Sequence, residues 1–328
     1  DAIVINTCCF IHDAKEESVN TILEMAEYKK TGTCKILIVT GCMAQRYKEE
    51  ITEEIPEVDA VLGTTSYGDI VKALNEAEAG HVFQEFKDIN ALPEDSGRRV
   101  ITTGGHFGYL KIAEGCDKHC TYCIIPSLRG KFRSVPEERL LKQAEYMASQ
   151  GVRELILVAQ ETTVYGTDLY GKKTLHILLK KLCQIKGIRW IRVLYCYPEE
   201  IYDELIQVMK EEKKICHYLD LPIQHASDRI LKRMGRRTTR KQLEDIIAKL
   251  RREIPDIVLR TSLITGFPGE TQEDHEELME FVDEMEFDRL GVFTYSPEEG
   301  TPAETMEGQV PEEVKEERRD ELMSHQQE

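Results

Sequence analysis

The 328-residue sequence contains no run of roughly 18 to 20 uninterrupted apolar residues, the length that a membrane-spanning helix needs. It also lacks the charged, apolar and small-residue regions of a signal peptide at its start. These absences argue against membrane insertion and secretion, so we expect a cytoplasmic protein. No methionine opens the chain. Asp1 leads directly into the strand-like run 2–6, and we expect the native N-terminus to lie upstream.

Positive charge is also scarce, because 43 Lys and Arg residues face 60 Asp and Glu residues and leave a net charge of -17. A polyanionic surface repels phosphate backbones and attracts basic surfaces. A basic protein is therefore the favoured partner. A local basic patch formed by Lys232, Arg233, Arg236 and Arg237 leaves RNA open as an alternative.

A disulfide framework is not expected, although the chain has ten cysteines. Reducing compartments keep thiols unpaired, and cysteines of cytosolic proteins more often bind metals. Metal ligation is therefore the leading interpretation of the cysteines.

Apolar strand-like runs alternate with amphipathic helical runs from the start of the chain. The predicted strands are 2–6, 36–40 and 58–62, and the predicted helices are 13–30, 44–55 and 67–77. This order is typical of a small parallel βαβ sheet covered by helices, which we assign to residues 1–79. Residues 80–105 show no sustained periodicity and are predicted to be a linker with one short strand.

A second domain, residues 106–305, repeats the alternation six times. Its predicted strands are 109–113, 154–158, 190–194, 218–221, 258–264 and 290–294, with helices at 137–150, 175–183, 201–211, 242–252 and 272–285. Six βα units favour an open, partial (β/α)6 barrel of the TIM type, which gathers reactive groups at the carboxyl ends of its strands. Residues 306–328 are predicted to form a charged, solvated connecting helix.

Three cysteines, Cys116, Cys120 and Cys123, follow the first strand of this second domain. Thiolate ligands select zinc or iron-sulfur clusters. A closed zinc site takes four protein ligands, and only His119 stands close by in the sequence. A four-iron cluster held by three cysteines leaves one iron free to bind a small molecule. Zinc binding and incidental buried thiols stay open as alternatives.

Cys8 and Cys42 form a second set, because each follows directly on a predicted strand of the first sheet. Parallel neighbours would bring both thiols to the same edge. Two thiols do not complete a cluster. Cys9 and Cys34 are interpreted as core or loop residues, and Cys183, Cys196 and Cys216 as core thiols.

Several motifs occur in the order found in the radical S-adenosylmethionine (SAM) methylthiotransferases, and the chain resembles that family over nearly its whole length. They are Asn6-Thr7-Cys8, Gly41-Cys42, the cysteines of 116–123, and the runs 125–130 and 266–271. The resemblance implies two 4Fe-4S clusters. The open iron of the cluster on Cys116, Cys120 and Cys123 would bind SAM, and Tyr122 would lie against its adenine. Cys8 and Cys42 would hold the second cluster, whose first ligand precedes Asp1.

Within the family, the runs 8–11, 126–130, 158–162, 219–227 and 295–300 resemble the branch that adds a methylthio group to the β-carbon of an aspartate in ribosomal protein S12. The branch that acts on isopentenyladenosine in tRNA is one alternative, and a zinc or iron-sulfur electron-transfer module is another. We expect a monomer that uses a reductant such as flavodoxin or ferredoxin. The resemblance also implies a C-terminal TRAM domain that this chain lacks. The sulfur donor is not assigned.

Weaker candidates stand at the ends of other strands. Gln160 resembles the position that contacts the methionine amine of SAM, although a capping role is an equal alternative. Gly266 and Gly269 would let backbone approach a ligand, or would simply form a strand-to-helix turn. His225 is interpreted as a hydrogen-bonded loop residue rather than as a ligand.

Overall fold

Two parallel sheets organise the chain in this computed structural model, which describes residues 1–93 and 99–327. The first sheet has the strand order β1-β2-β3-β4. Its strands are β1 (Ala2–Thr7), β2 (Ile36–Gly41), β3 (Ala60–Leu62) and β4 (Phe83–Glu85), and its helices are α1 (His12–Thr31), α2 (Cys42–Glu54) and α3 (Ile70–Glu78). Strand β4 lies in the segment predicted to be a linker and pairs with β3, so this sheet extends beyond residue 79. Residues 94–98 of that segment lie outside the described residues.

The second sheet has the order β12-β11-β10-β9-β8-β5, and its described strands leave the barrel open between β5 and β12. These strands are β5 (Phe107–Lys111), β8 (Glu154–Val158), β9 (Trp190–Val193), β10 (Ile215–Asp220), β11 (Val258–Thr265) and β12 (Arg289–Thr294). A separate antiparallel ladder joins β6 (Ala113–Glu114) to β7 (Arg133–Ser134). The predicted α/β class, a small parallel sheet followed by a partial (β/α)6 barrel, is confirmed.

The remaining helices lie in the second part of the chain, and the longer ones cover one face of the barrel sheet. They are α4 (Ile125–Arg129), α5 (Glu137–Ser149), α6 (Thr167–Tyr170), α7 (Leu175–Cys183), α8 (Asp203–Glu211), α9 (Asp228–Arg233), α10 (Arg240–Glu253), α11 (Gln272–Met285) and α12 (Glu312–His325). Burial alternates along the strands, as in β8, where Leu155 and Leu157 are fully buried and their neighbours are not. This alternation turns one face of the sheet toward the helices and the other toward the barrel interior.

A helix forms near the C-terminus, as predicted, but the prediction that it is solvated is wrong. Helix α12 packs on β11 and β12, and Lys315, Arg318 and Leu322 are buried. The Lys315 ammonium donates to the Tyr295 carbonyl at 2.9 Å, and the Arg318 guanidinium pairs with Glu270 at 2.8 Å. The charged residues are buried because their partners come from distant parts of the chain, which the charge pattern of the helix alone does not reveal.

The two domains share packed side chains. Ile124 and Leu128 belong to α4 or immediately precede it, yet they lie in the hydrophobic core of the first sheet together with Val39 and Met43. The Thr64 hydroxyl donates to the Leu128 carbonyl at 3.0 Å. Among the described helices, none is both long enough and apolar enough to cross a bilayer.

Candidate metal centre

A short backbone ladder closes the loop that carries the three cysteines, residues 115–132, called the cluster loop here. The N–H of Cys116 donates to the Gly130 carbonyl at 3.2 Å, beside the β6–β7 pair. Gly115 has a φ of +74°, and a side chain there would collide with the Lys131 carbonyl. The glycine therefore allows the turn that carries Cys116 past the carboxyl end of β5.

The three thiols of the cluster loop are sheltered from water. Cys116 and Cys120 are buried, and Cys123 is half-buried. Burial, with a smaller contribution from the neighbouring thiols, raises the pKa of Cys116 to about 11 and that of Cys123 to about 12. For Cys123 the neighbouring thiols that contribute are Cys120 and Cys116. A metal centre would reverse this unfavourable ionisation, because metal binding deprotonates its thiol ligands.

The arrangement of the cluster loop bears on which metal it holds. Within residues 1–93 and 99–327, no three His, Cys, Asp or Glu side chains are grouped to hold a single metal ion. A structural zinc site needs four such ligands around one ion. In an iron-sulfur cluster each thiolate ligand binds a different iron. Three cysteines on one loop are one ligand short of a structural zinc site, so zinc would need a fourth ligand that this loop does not group with them.

Cationic and aromatic side chains that the sequence did not predict surround the loop. The Tyr197 hydroxyl lies 3.7 Å from the Cys120 sulfur, and the Arg236 guanidinium stacks on the Tyr197 ring at 4.3 Å from its centroid. Two nitrogens of Arg236, Nε and Nη1, are buried without a hydrogen-bond partner among the described residues. The Lys118 ammonium lies 5.0 Å from the same ring. A buried guanidinium with spare donors suits an anionic cluster.

This position of Arg236 corrects the interpretation of the basic patch. Arg236 is 6% exposed and donates to the Pro222 carbonyl at 3.0 Å. It faces the cluster loop and is not available to bind RNA. The sequence around Arg236 does not distinguish it from Arg237. The difference arises because Tyr197, which follows the distant strand β9, packs against Arg236.

Tyr122 is brought next to the run at 266–271. Its ring meets Phe267 edge to face at 6.3 Å, and Phe267 in turn meets Tyr295 at 5.3 Å. Burial, with the nearby Cys120, raises the pKa of Tyr122 well above its ordinary value, so its hydroxyl stays neutral. The ends of β5 and β11 thus meet at one aromatic cluster.

Backbone conformation and close packing explain why positions 266 and 269 are glycines. Gly266 and Gly269 have φ of +69° and +85°. A side chain at Gly266 would collide with Lys315, and a β-carbon at Gly269 would lie 3.0 Å from the Arg233 guanidinium. Close packing accounts for both residues, and their contact with a ligand stays a prediction.

Unpartnered carbonyl and carboxylate oxygens follow β8. The Gln160 Oε1 and the Glu161 Oε2 are buried and have no hydrogen-bond partner among the described residues. Burial raises the pKa of Glu161 to about 7, despite the hydrogen bonds from Thr163 and the charge of Lys118. Buried polar atoms rarely lack partners, so these oxygens are suited to a ligand with N–H donors.

The remaining candidates take structural positions. His225 is fully buried; its Nδ1 accepts from the N–H groups of Ala226 and Ser227 at 3.0 Å, which confirms the hydrogen-bonded alternative. Cys183 and Cys196 lie in the barrel core, as interpreted. Cys216 is only half-buried, so its assignment to the core is wrong.

Cys8 and Cys42 lie at one edge of the first sheet, as the strand pattern predicts. Strands β1 and β2 pair in parallel with Thr7 opposite Gly41, and each cysteine is the next residue. Cys8 is exposed, whereas Cys42 is buried and accepts from the Arg129 Nε at 3.3 Å. Cys9 is fully buried in the core, and burial raises its pKa to about 11.

Two family models match the chain. The model described as the Radical SAM superfamily matches residues 110–282, and the model described as Uncharacterized protein family UPF0004 matches residues 1–63. The second of these covers strands β1 to β3 of the first sheet, and the first begins within β5 of the barrel sheet.

Curated relatives match nearly the whole chain. A protein of Lachnoclostridium phytofermentans named ribosomal protein uS12 methylthiotransferase RimO is 67% identical over 327 residues, an alignment that covers 100% of this chain and 74% of the relative. A protein of the same name from Clostridium botulinum strain Eklund 17B is 54% identical over 325 residues, with 98% and 73% covered.

Solved structures show the same fold at low identity. The methyltransferase TsrM from Kitasatospora setae, with cobalamin and a 4Fe-4S cluster bound, has a TM-score of 0.68 at 13% identity and covers 92% of this chain and 63% of its own. OxsB, a cobalamin-dependent SAM radical enzyme, has a TM-score of 0.59 at 18% identity, with 100% and 47% covered.

Proposed function

Because this chain belongs to the RimO family of radical SAM methylthiotransferases, we propose that it adds a methylthio group to the β-carbon of an aspartate in ribosomal protein uS12. The single observation that carries the proposal is the cluster loop. Its three sheltered thiols stand past the end of the first barrel strand, beside a buried guanidinium with spare donors. The acidic surface, with a net charge of -17, suits a basic substrate and places no obstacle to docking.

We assign the first centre to a 4Fe-4S cluster on Cys116, Cys120 and Cys123. When bound, the cluster supplies the electron that cleaves SAM and so starts hydrogen abstraction from the substrate. The chain itself excludes water from this chemistry by burying the thiols and the aromatic cluster around Tyr122. Arg236 and Lys118 offset the negative charge of the thiolates.

SAM is proposed to lie across the strand ends beside this centre. Gln160 offers a buried oxygen to the methionine ammonium, and Tyr122 offers its ring to the adenine. The backbone at Gly266 and Gly269 would line the same site. These roles orient SAM and do not change its chemistry.

Cys8 and Cys42 are proposed to hold a second 4Fe-4S cluster, which would supply sulfur chemistry for the methylthio transfer when bound. Their shared position at the edge of the first sheet supports this assignment. Cys9 is a poor third ligand because it is fully buried in the core. A third thiolate is therefore proposed to precede Asp1.

The proposed partners follow from the reaction. A small electron-transfer protein such as flavodoxin or ferredoxin supplies the electron, and a ribosomal substrate places the reaction in the cytoplasm. The enzyme is proposed to act as a monomer.

The test is anaerobic incubation of the enzyme with reductant and SAM, followed by mass spectrometry of both candidate substrates. Ribosomal protein uS12 should gain one methylthio group at an aspartate, and tRNA should stay unchanged. The matched control replaces Cys120 with Ala, which should abolish SAM cleavage. Modification of tRNA with uS12 unmodified would overturn the proposal.

A further inference from the structure

Arg129 connects the two cysteine sets. It is the last residue of α4, the helix that begins two residues after Cys123, and its Nε donates to the Cys42 sulfur at 3.3 Å. The side chain is 15% exposed. A residue of the barrel domain therefore hydrogen-bonds to a candidate cluster ligand of the first sheet.

Neighbouring groups hold this guanidinium in place. The Glu114 carboxylate lies 3.7 Å from Arg129 Nη1, and Glu114 stands two residues before Cys116. Tyr67, from the first domain, lies near enough to interact electrostatically with the guanidinium. An arginine guanidinium stays protonated at any physiological pH. The side chain therefore remains charged and fixed.

A fixed cation at a ligand sulfur affects electron uptake. When an iron-sulfur cluster accepts one electron from dithionite or from an electron-transfer protein, its net charge falls by one and no bond forms or breaks. A charge-assisted hydrogen bond to the sulfur stabilises the more negative, reduced form. Hydrogen bonds to the sulfurs are among the factors that set cluster potentials.

We propose that Arg129 is a positioning residue that raises the reduction potential of the cluster bound by Cys42. This inference rests on the proposed second cluster. It also assigns a task to the arginine of the 125–130 run, which directly follows the cluster loop cysteines in sequence.

The test isolates the second cluster. In the enzyme with Cys116, Cys120 and Cys123 all replaced by Ala, only that cluster can assemble, and its midpoint potential is measured by dithionite titration followed by electron paramagnetic resonance. Arg129→Met should shift the reduction equilibrium about tenfold toward the oxidised form, or about 59 mV for a one-electron couple. Arg129→Lys keeps the charge and loses the planar donor, so its shift should be smaller.

Glu298→Gln is the matched control for domain docking. Glu298 is 1% exposed and pairs across the domains with Lys15 at 3.2 Å and with Arg46 at 3.5 Å. This variant loosens the same interface without touching Cys42, so its midpoint should not move.

The outcomes separate two failures. Absence of iron and sulfide when Arg129 is intact would overturn the second cluster itself. A bound cluster whose reduction equilibrium changes less than twofold in both Arg129 variants would overturn the role of Arg129 alone. An equal shift in Glu298→Gln would also overturn it, because docking rather than the hydrogen bond would then set the potential.

Discussion

Replacing Arg318 with Met should lower the free energy of unfolding by about 3 kcal/mol. The Arg318 guanidinium lies 2.8 Å from Glu270, whose side chain is fully buried, so the variant leaves a buried carboxylate without its cation. Breaking a buried pair in this way typically costs about 3 to 5 kcal/mol. The low end applies because the Gly266 N–H still donates to Glu270 at 2.9 Å. Anaerobic urea denaturation measures the loss.

The matched control is Arg319→Met, the next residue along α12, whose partner Asp320 is exposed. Its unfolding midpoint should not change.

Burial alone would raise the pKa of Glu270, but His225, the Gly266 N–H and Arg318 lower it below 4.5. The stabilisation by Arg318 is therefore complete above pH 4.5 and is lost as the pH falls through the folded pKa. Equal effects of the two arginine variants, or a loss under about 1 kcal/mol, would refute a buried, stabilising pair.

Other predictions concern the cluster loop and the end of β8. Gly115→Ala should lose iron at the cluster loop, whereas Gly105→Ala, where a side chain would meet open space, should keep it; equal iron contents would contradict the role of the tight turn. Gln160→Ala should weaken SAM binding about tenfold with the iron content unchanged, as equilibrium binding would measure; unaltered affinity would remove Gln160 from the site. The pKa of Glu161 is raised from 4.5 to about 7, mainly by burial, so the folded state loses stability as the pH rises through that window. Glu161→Gln should abolish this decline, on the order of 3 kcal/mol, and an identical pH slope in denaturation would contradict it.

Elements with a clear apolar period were predictable from the sequence. The bounds of β8, α7 and α11 agree with the predictions to the residue, because each has a clear apolar period and a capping or turn signal at its ends. The short helices were not predicted. Helices α4, α6 and α9 have six residues or fewer, which is too short for a period to be recognised.

The candidate site divides in the same way. The metal centre on Cys116, Cys120 and Cys123 could be predicted from a short stretch of sequence, because one loop carries all three cysteines. Tyr197 and Arg236 follow separate strand and helix ends, and only the folded barrel brings them to that loop. Their sequence neighbourhoods contain nothing that distinguishes them from surface residues.

Ile124 and Leu128 insert into the core of the first sheet. Metal binding at the barrel is therefore coupled to the folding stability of both domains. The same short segment is tied to the barrel cysteines at one end and anchors the neighbouring sheet at the other. A ligand that binds only the folded state stabilises every part of the protein that must be folded to form its binding site. Loss of iron from the barrel would therefore also leave the N-terminal half more open to unfolding and proteolysis.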